Sequence, residues 1–531
     1  MKEHTQSAKN RRFFNTTGPC NPNDHYMLPP AGRLVGAQLS RYVKDKLYWV
    51  LHAPRQTGKT TFLKSWMREI NAGGEAVACY VSVERCQGLP EIERAMPAIC
   101  SAIREHTHMF DFAVPEVKTA DASSMLSNIL IQWSELVSPQ PLIILFDEVD
   151  VLEGEAMISF LRQLRGGFAS RGVGVFPVSI ALVGMHDLKD YITAAKDGKA
   201  PNPGSPFNIK ADSASLSNFT REDIAKLFAQ RTEDTGQQIT PEALDYAFEQ
   251  SKGQPWIVNS LFMRATMRVL DEESTETVTV AHLREARGQM IEARETHLDT
   301  LGERLRDPRI KHVIQTIIIG NTDPSMGRTN RDVELATDLG LICWDTASGF
   351  TIANPIYEEI LTRYLNSGYH DNLPPPSAWK WQKPDGSLDM DSLLREFQKF
   401  WRRHSEVWEQ KSGYTEAFPH LLLMAFLQRV TNGGEHVDRE SAAGRGRMDL
   451  AVEFGGACYI IEVKVVYSYD SPDTVREEGL EQICEYRDKV NAAAPAWLVI
   501  FDRRPKAKEL TWDERITWEV DKATGVTVVG C

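Results

Sequence analysis

The sequence predicts an α/β protein of several domains, on three observations. From Leu47 to Tyr191 short apolar runs alternate with amphipathic stretches, the rhythm of βαβ units around a covered parallel sheet. From Thr220 to about Ala293 the apolar residues recur at three and four, a helical spacing throughout. A mixed pattern restarts at Met390, after the stretch Asn366–Asp389, which holds Pro374-Pro375-Pro376 and little periodicity. At roughly 150 residues per domain, a length of 531 residues suits about three domains, each with its own core.

The elements follow in order. Buried strands are expected at Tyr48–His52, Ala76–Ser82, Leu142–Phe146 and Val178–Val183, with helical patterns between them. The helical stretch divides into Asp223–Thr232, Pro241–Ser251 and Trp256–Leu270. Residues Arg309–Leu365 read as helices, a hairpin (Leu341–Trp344, turn Ala347–Gly349, Phe350–Ala353) and a further helix, the order of a winged helix. From Met390 onward the pattern is helix, helix, hairpin, helix, strand, a separate α/β unit joined to the rest by the linker Asn366–Asp389.

Composition excludes several classes. The 60 Lys+Arg against 73 Asp+Glu give a net charge of −13, so the chain is no basic nucleic-acid coat, and any nucleic-acid contact is expected through a local patch. The eight cysteines form no CxxC pair and no Cys/His cluster, and read as reduced thiols rather than a zinc site. The start, MKEHTQSAKNRR, lacks the apolar segment of a signal peptide. The longest apolar stretches, around Val173–Met185 and Leu421–Leu427, are shorter than the ~20 residues a membrane span needs. A cytoplasmic protein without membrane contacts is expected.

The segment APRQTGKTT, from Ala53 to Thr61, follows an apolar strand and precedes an amphipathic helix. That is the context of a phosphate-binding loop, in which backbone N–H groups and a helix N-terminus meet anionic phosphates. Thr57, Gly58, Lys59, Thr60 and Thr61 are the candidate nucleotide-binding residues. Lys59 would reach the β/γ-phosphates and the Thr60 hydroxyl would ligate Mg²⁺. The departure is Ala53 where the motif carries its first glycine, tolerable if its φ stays negative. LIILFDEVD then ends an apolar strand in Asp147 and Glu148, the edge at which α/β sheets carry their ligands. Asp147 is expected to hold Mg²⁺ and Glu148 to polarise the attacking water. In SIALVGMHDL, His186 is a candidate γ-phosphate sensor of the kind AAA-type ATPases carry, with an ordinary loop histidine as the alternative. Arg165 and Arg171 are candidate arginine fingers or simply surface arginines of a helix. Gly253-Gln254-Pro255-Trp256 breaks two helical runs, either like the lid turn of signal-transduction ATPases or as an ordinary helix connection.

A second chemical pattern lies in GRGRMDLAVEFGGACYIIEVKV. Two strands flank Gly455-Gly456, a two-residue hairpin signal. Pairing across that turn sets Phe454 opposite Ala457, Val452 opposite Tyr459, and Asp449 opposite Glu462, with the last two Cβ atoms about 5 Å apart. Lys464, two residues beyond Glu462, projects from the same face. Two adjacent carboxylates favour a divalent cation between them, and the lysine can stabilise a charged phosphorane. GLEQICEY places Gln482 and Tyr486 one helical turn apart, the QxxxY helix that follows an ExK strand in PD-(D/E)XK nucleases. Glu416, on an amphipathic helix, is a candidate further metal contact or a solvated helix-end glutamate; Arg445 and Arg447 are placed to meet phosphate or are simply solvated. The candidate catalytic residues are thus Glu148, Asp449, Glu462, Lys464 and Gln482, and the candidate metal ligands Thr60, Asp147, Glu416, Asp449 and Glu462.

As a whole the chain resembles a bacterial family of AAA-like ATP-binding proteins with a C-terminal PD-(D/E)XK nuclease-like domain. The phrases that carry the resemblance include FLRQLRGGF, SIALVGMHDLKDY, GQPWIVNSL, IANPIYEEI, LLLMAFLQRVTNGG, GRGRMDL and IEVKV. It implies a P-loop AAA-like ATPase core at 1–215, a helical lid at 216–295, a winged helix at 296–367, a linker at 368–389 and a nuclease-like domain at 390–531. The expected function is ATP binding and hydrolysis coupled to Mg²⁺- or Mn²⁺-dependent cleavage of DNA by a homo-oligomer, with defence against foreign DNA as a domain-level analogy. One alternative is a signalling ATPase whose nucleotide-dependent oligomerisation controls a nuclease-like effector or binding module. A transcription regulator is the weaker alternative, because the helix Asn330–Leu339 offers phosphate only Arg331.

Overall fold

A computed structural model describes residues 12–35, 39–108, 121–171, 175–185, 210–271, 273–293, 296–318, 330–346, 349–370, 381, 383–409, 419, 422–424, 426–427, 450–454, 457–466, 471–490, 494–502, 504 and 510–531. The chain divides into two compact units, Met1–Arg294 with Leu335–Gly340, and Glu295–Glu334 with Leu341–Cys531. Among the described residues no helix is long and apolar enough to cross a membrane.

The first unit is built on a six-stranded sheet. Its strands are β1 (Leu34–Val35), β2 (Tyr48–His52), β3 (Val77–Ser82), β4 (Leu142–Asp147), β5 (Ser179–Gly184) and β6 (Lys210–Leu216). They lie in the order β1-β6-β2-β5-β4-β3, and all neighbours are parallel except β1 with β6. Period-two alternation explains why the strands read as unbroken apolar runs. Tyr48 and Val50 enter one core with Trp133 and Phe160, while Trp49 and Leu51 enter the core on the opposite face with Phe62 and Trp66. Each such side chain, fully removed from water, contributes about 1.5–3 kcal/mol.

The helices of this unit that bear on the site are α1 (Lys59–Gly73), α2 (Gly154–Ser170), α3 (Arg221–Thr235), α4 (Pro241–Ser251) and α5 (Pro255–Arg264). Local chemistry starts the last three. Thr220 and Asp223 form a reciprocal capping box, Thr240 caps the helix opened by Pro241, and the Gln254 side chain caps the one opened by Pro255. The expected helix Trp256–Leu270 is α5 followed by a π-helical turn at Ala265–Val269. Strands β1 and β6 lie outside the expected set, one being very short and the other mixed in polarity.

In the second unit, helices Thr296–Arg304 and Pro308–Ile318 precede the antiparallel hairpin Ile342–Asp345/Gly349–Ile352 and the helix Pro355–His370. The expected helix Asn330–Leu339 forms as Arg331–Asp338, across the division between the units. A five-stranded sheet follows, with β7 (Leu450–Phe454), β8 (Ala457–Val466), β9 (Ala496–Asp502), β10 (Trp518–Val520) and β11 (Thr527–Gly530) in the order β10-β11-β9-β8-β7. Tyr459, Ile461 and Val463 face one core with Phe397, Trp401 and Phe426; Ile460 faces a smaller one with Ile483, Tyr486 and Leu498. Helix α6 (Pro472–Val490) covers that second face. Trp381 and Leu388, expected in the linker, are buried in the larger core, and the Leu388 N–H donates to the Tyr459 hydroxyl at 2.9 Å. The pair β10–β11 was not expected either, since neither strand carries a long apolar run.

Candidate functional site

The phosphate-loop constellation assembles where β2, β3 and β4 reach their carboxyl ends. The loop between β2 and α1 contains two left-handed residues, Gln56 (φ 58°) and Gly58 (φ 94°). Ala53 is not left-handed, so the methyl in place of the motif's first glycine is accommodated. The half-buried Lys59 ammonium donates to the carbonyls of Ala53 (2.6 Å) and Pro54 (2.9 Å), holding it across the loop. Burial lowers its pKa to about 8, while the nearby Asp147 carboxylate favours its charged form. The Thr57 hydroxyl closes the loop on the Pro54 carbonyl at 2.8 Å, and Thr61 accepts the Cys20 N–H at 3.0 Å.

Asp147 is 1% exposed and richly bonded. Its Oδ2 accepts the Thr60 hydroxyl at 2.6 Å and the Tyr80 hydroxyl at 3.1 Å, and its Oδ1 accepts the Glu148 N–H at 3.0 Å. Burial raises its pKa, and the Thr60 hydrogen bond opposes that rise. Glu148 takes the left-handed conformation (φ 61°), a strained arrangement for a non-glycine residue that turns its side chain toward Ser82, whose hydroxyl donates to it at 3.0 Å. Its pKa is also raised, first by burial. The Thr60 hydroxyl and the Asp147 carboxylate supply the hard oxygen donors that suit Mg²⁺. Among the described residues no cluster of three or more His, Cys, Asp or Glu side chains forms a metal cage.

Tyr80 and Ser82 were missed in the sequence. They share one face of β3 by period two, and the register Ser82↔Asp147 brings them to the acidic strand end. Only strand adjacency reveals them. Arg171 takes the surface arrangement of its two readings: its guanidinium donates to the carbonyls of Lys46 (2.8 Å) and Val178 (2.9 Å) and lies over the Phe168 ring. Arg165 is exposed on α2, and His186 lies outside the described residues.

On the second sheet the register matches expectation at Phe454↔Ala457 and Val452↔Tyr459, and its last described pair is Leu450↔Ile461. Asp449, Glu416, Arg445 and Arg447 lie outside the described residues. Glu462 is 3% exposed, and Lys464 pairs with it at 3.1 Å. The Lys464 ammonium also donates to Gln482 Oε1 on α6. Tyr486 instead is buried in the small core. A close approach sets this contact. A Cβ on Gly479 would lie 2.7 Å from Leu498 and 3.2 Å from the Lys464 stem, so the bare Cα lets α6 sit this near β8 and β9 without displacing either side chain.

The two geometries define a P-loop ATPase fold followed by a separate nuclease-type sheet, and sequence comparison agrees for the second part. Residues 414–501 match the model of the PD-(D/E)XK nuclease superfamily, so the chain carries a domain of that superfamily. No curated protein matches the chain. Among solved structures, the Walker-type ATPase of Pyrococcus abyssi is 13% identical over 66% of this chain and 99% of its own, with a TM-score of 0.46. Cdc6p from Pyrobaculum aerophilum is 12% identical over 62% and 91%, with a TM-score of 0.36. The RuvB Holliday junction branch migration motor of Thermotoga maritima is 12% identical over 61% and 92%, with a TM-score of 0.33.

Proposed function

We propose that this chain is an ATP-hydrolysing, metal-dependent DNA nuclease, with the phosphate-loop unit governing a phosphodiesterase on the second sheet. The observation that carries the ATPase half is the Thr60 hydroxyl bonded to the buried Asp147 carboxylate at the strand ends, within electrostatic reach of Lys59 and adjoining Glu148. Mg²⁺ there would be held by Thr60 and Asp147, and would supply charge neutralisation for the phosphates. Lys59 binds the anionic oxygens as a point charge, and the backbone N–H groups at the start of α1 add positive potential. Glu148 orients water and accepts its proton, a role suited to a carboxylate whose pKa is raised toward the working range. Ser82 holds that carboxylate at a fixed angle.

For the phosphodiesterase half, the supporting observation is a buried carboxylate paired with a lysine that a helix orients. A divalent cation would be held by Glu462 with Asp449 and Glu416, and would polarise the phosphodiester. Lys464, turned by Gln482, stabilises the charge that develops on the phosphorane oxygens. We further propose the domain order ATPase core, helical lid, winged helix and nuclease, acting as a homo-oligomer on DNA through a local patch. The test is cleavage of linear, circular and single-stranded DNA by wild type and Glu462→Gln, with and without ATP and Mg²⁺ or Mn²⁺. Metal-dependent cleavage lost in Glu462→Gln supports the reading; equal cleavage by both proteins rejects the site.

A further inference from the structure

Arg33 closes the 3-10 turn Pro30–Arg33 and leads into β1, which pairs with β6 through Leu34↔Leu216. It is 8% exposed, and its hydrogen bonds go to backbone carbonyls rather than to a carboxylate. Nη2 donates to Thr57 O at 2.8 Å and to Ser217 O at 2.7 Å, and Nε donates to Ser217 O at 2.8 Å. The guanidinium lies 4.7 Å from the Phe219 ring centroid. Burial lowers its pKa to about 10, which leaves it charged at neutral pH.

The contact with Thr57 has a consequence for the phosphate loop. In a trans peptide the C=O and the following N–H point in opposite directions. Drawing the Thr57 carbonyl toward Arg33 therefore turns the Gly58 N–H away from Arg33. An anion-binding loop works by the direction of such N–H groups. The same guanidinium also reaches the segment that enters the helices. The Phe219 N–H donates to Gly253 O at 2.8 Å, and Gly253 (φ 74°) approaches so closely that a Cβ there would lie 1.9 Å from Phe219 O. Gly253 is followed directly by Gln254, which caps α5, and by Trp256, whose indole N–H donates to Thr16 O at 2.9 Å. Thus one buried side chain joins the loop to the turn Gly253–Trp256 through Ser217 and Phe219.

We propose that Arg33 is a positioning residue that orients the Gly58 amide and couples the phosphate loop to the Gly253–Trp256 turn, so that nucleotide occupancy is transmitted to the helices α3–α5. The inference rests on the ATP reading of the loop and specifies how that site signals. A methionine at 33 fills much of the same volume but leaves both carbonyls without this donor.

The experiment compares full-length wild type, Arg33→Met and Arg33→Lys with a slowly hydrolysed ATP analogue and Mg²⁺, measuring affinity and amide hydrogen exchange. Wild type is expected to show slower exchange at residues 217–220 and 253–257 on binding. Arg33→Met should bind about tenfold more weakly or worse, as a lost charge-assisted hydrogen bond implies, and at saturating analogue should show no slowing at 253–257. Arg33→Lys should fall between, since one ammonium does not match the fork that spans two carbonyls. If Arg33→Met does not fold, reduced slowing in a folded Arg33→Lys supports the proposal and wild-type slowing in it overturns it. Wild type that binds no nucleotide removes the ATP reading and this inference together. Binding by wild type with equal affinity and equal slowing in Arg33→Met removes the inference alone.

Discussion

The two candidate sites use similar groups and hold them differently. At the phosphate loop, Asp147 is fixed by donors from α1, β3 and the following peptide, in a sheet covered by apolar side chains on both faces. At the second sheet, Glu462 is equally buried, but its lysine depends on one exposed glutamine of α6 and on the bare Cα of Gly479. The first geometry follows from the core and is therefore robust to small steric change. The second depends on how closely one helix approaches, so it is open to damage by shape as well as by charge.

The largest effect should come from the loop lysine. Lys59→Ala removes the point charge for the terminal phosphates and is expected to reduce ATP turnover at least about a thousandfold. Steady-state phosphate release measures it, and turnover within tenfold of wild type would contradict the assignment. Next is Lys464→Ala, expected to lower DNA cleavage by roughly a hundred- to a thousandfold by analogy with a lost oxyanion donor, with ATP binding unchanged. Lys464→Arg should not restore it, because a planar fork is not a compact charge. Loss of ATP binding in Lys464→Ala would show that the two sites are not independent.

The third effect is a pH dependence confined to the phosphate loop. Burial disfavours the charged form of Lys59 and brings its pKa down to about 8 in the free protein. Bound polyphosphate favours the charged form, so binding takes up a proton above that pH. Affinity should weaken as pH rises, by about tenfold between roughly pH 7 and 9. Titration calorimetry in buffers of different ionisation enthalpy checks the sign; proton release in that range would reverse the assignment. The smallest effect distinguishes shape from charge. Gly479→Ala must displace α6 or the Leu498 and Lys464 side chains beneath it, costing about 1–3 kcal/mol of stability in the nuclease unit. Cleavage should fall several-fold through the displaced Gln482, while ATP turnover stays at the wild-type rate. Thermal unfolding and both assays on one preparation read these together.

Much of each site was legible because it lies within one contiguous motif. Lys59 and Thr60 follow a strand and open a helix, and Glu462 and Lys464 alternate on one strand face, so local periodicity placed them correctly. Tyr80, Ser82 and Arg33 were invisible for the opposite reason. Each acts on a residue far along the chain, and nothing in its own neighbourhood marks it. Arg171 is similar, since the carbonyls of Lys46 and Val178 that its guanidinium meets belong to other segments of the chain.

By itself the sequence determined the α/β class, the phosphate loop, the acidic strand end, the hairpin register and the three helical stretches that follow Thr220. All of these are set by chain-local rules of period, capping and turn chemistry. Only the tertiary structure decided that β5 lies between β2 and β4, that β3 brings Tyr80 and Ser82 to the carboxylates, and that Trp381 and Leu388 belong to a core rather than a linker. Strand order and burial depend on which distant apolar surfaces exclude water together, and no local window of sequence contains that information.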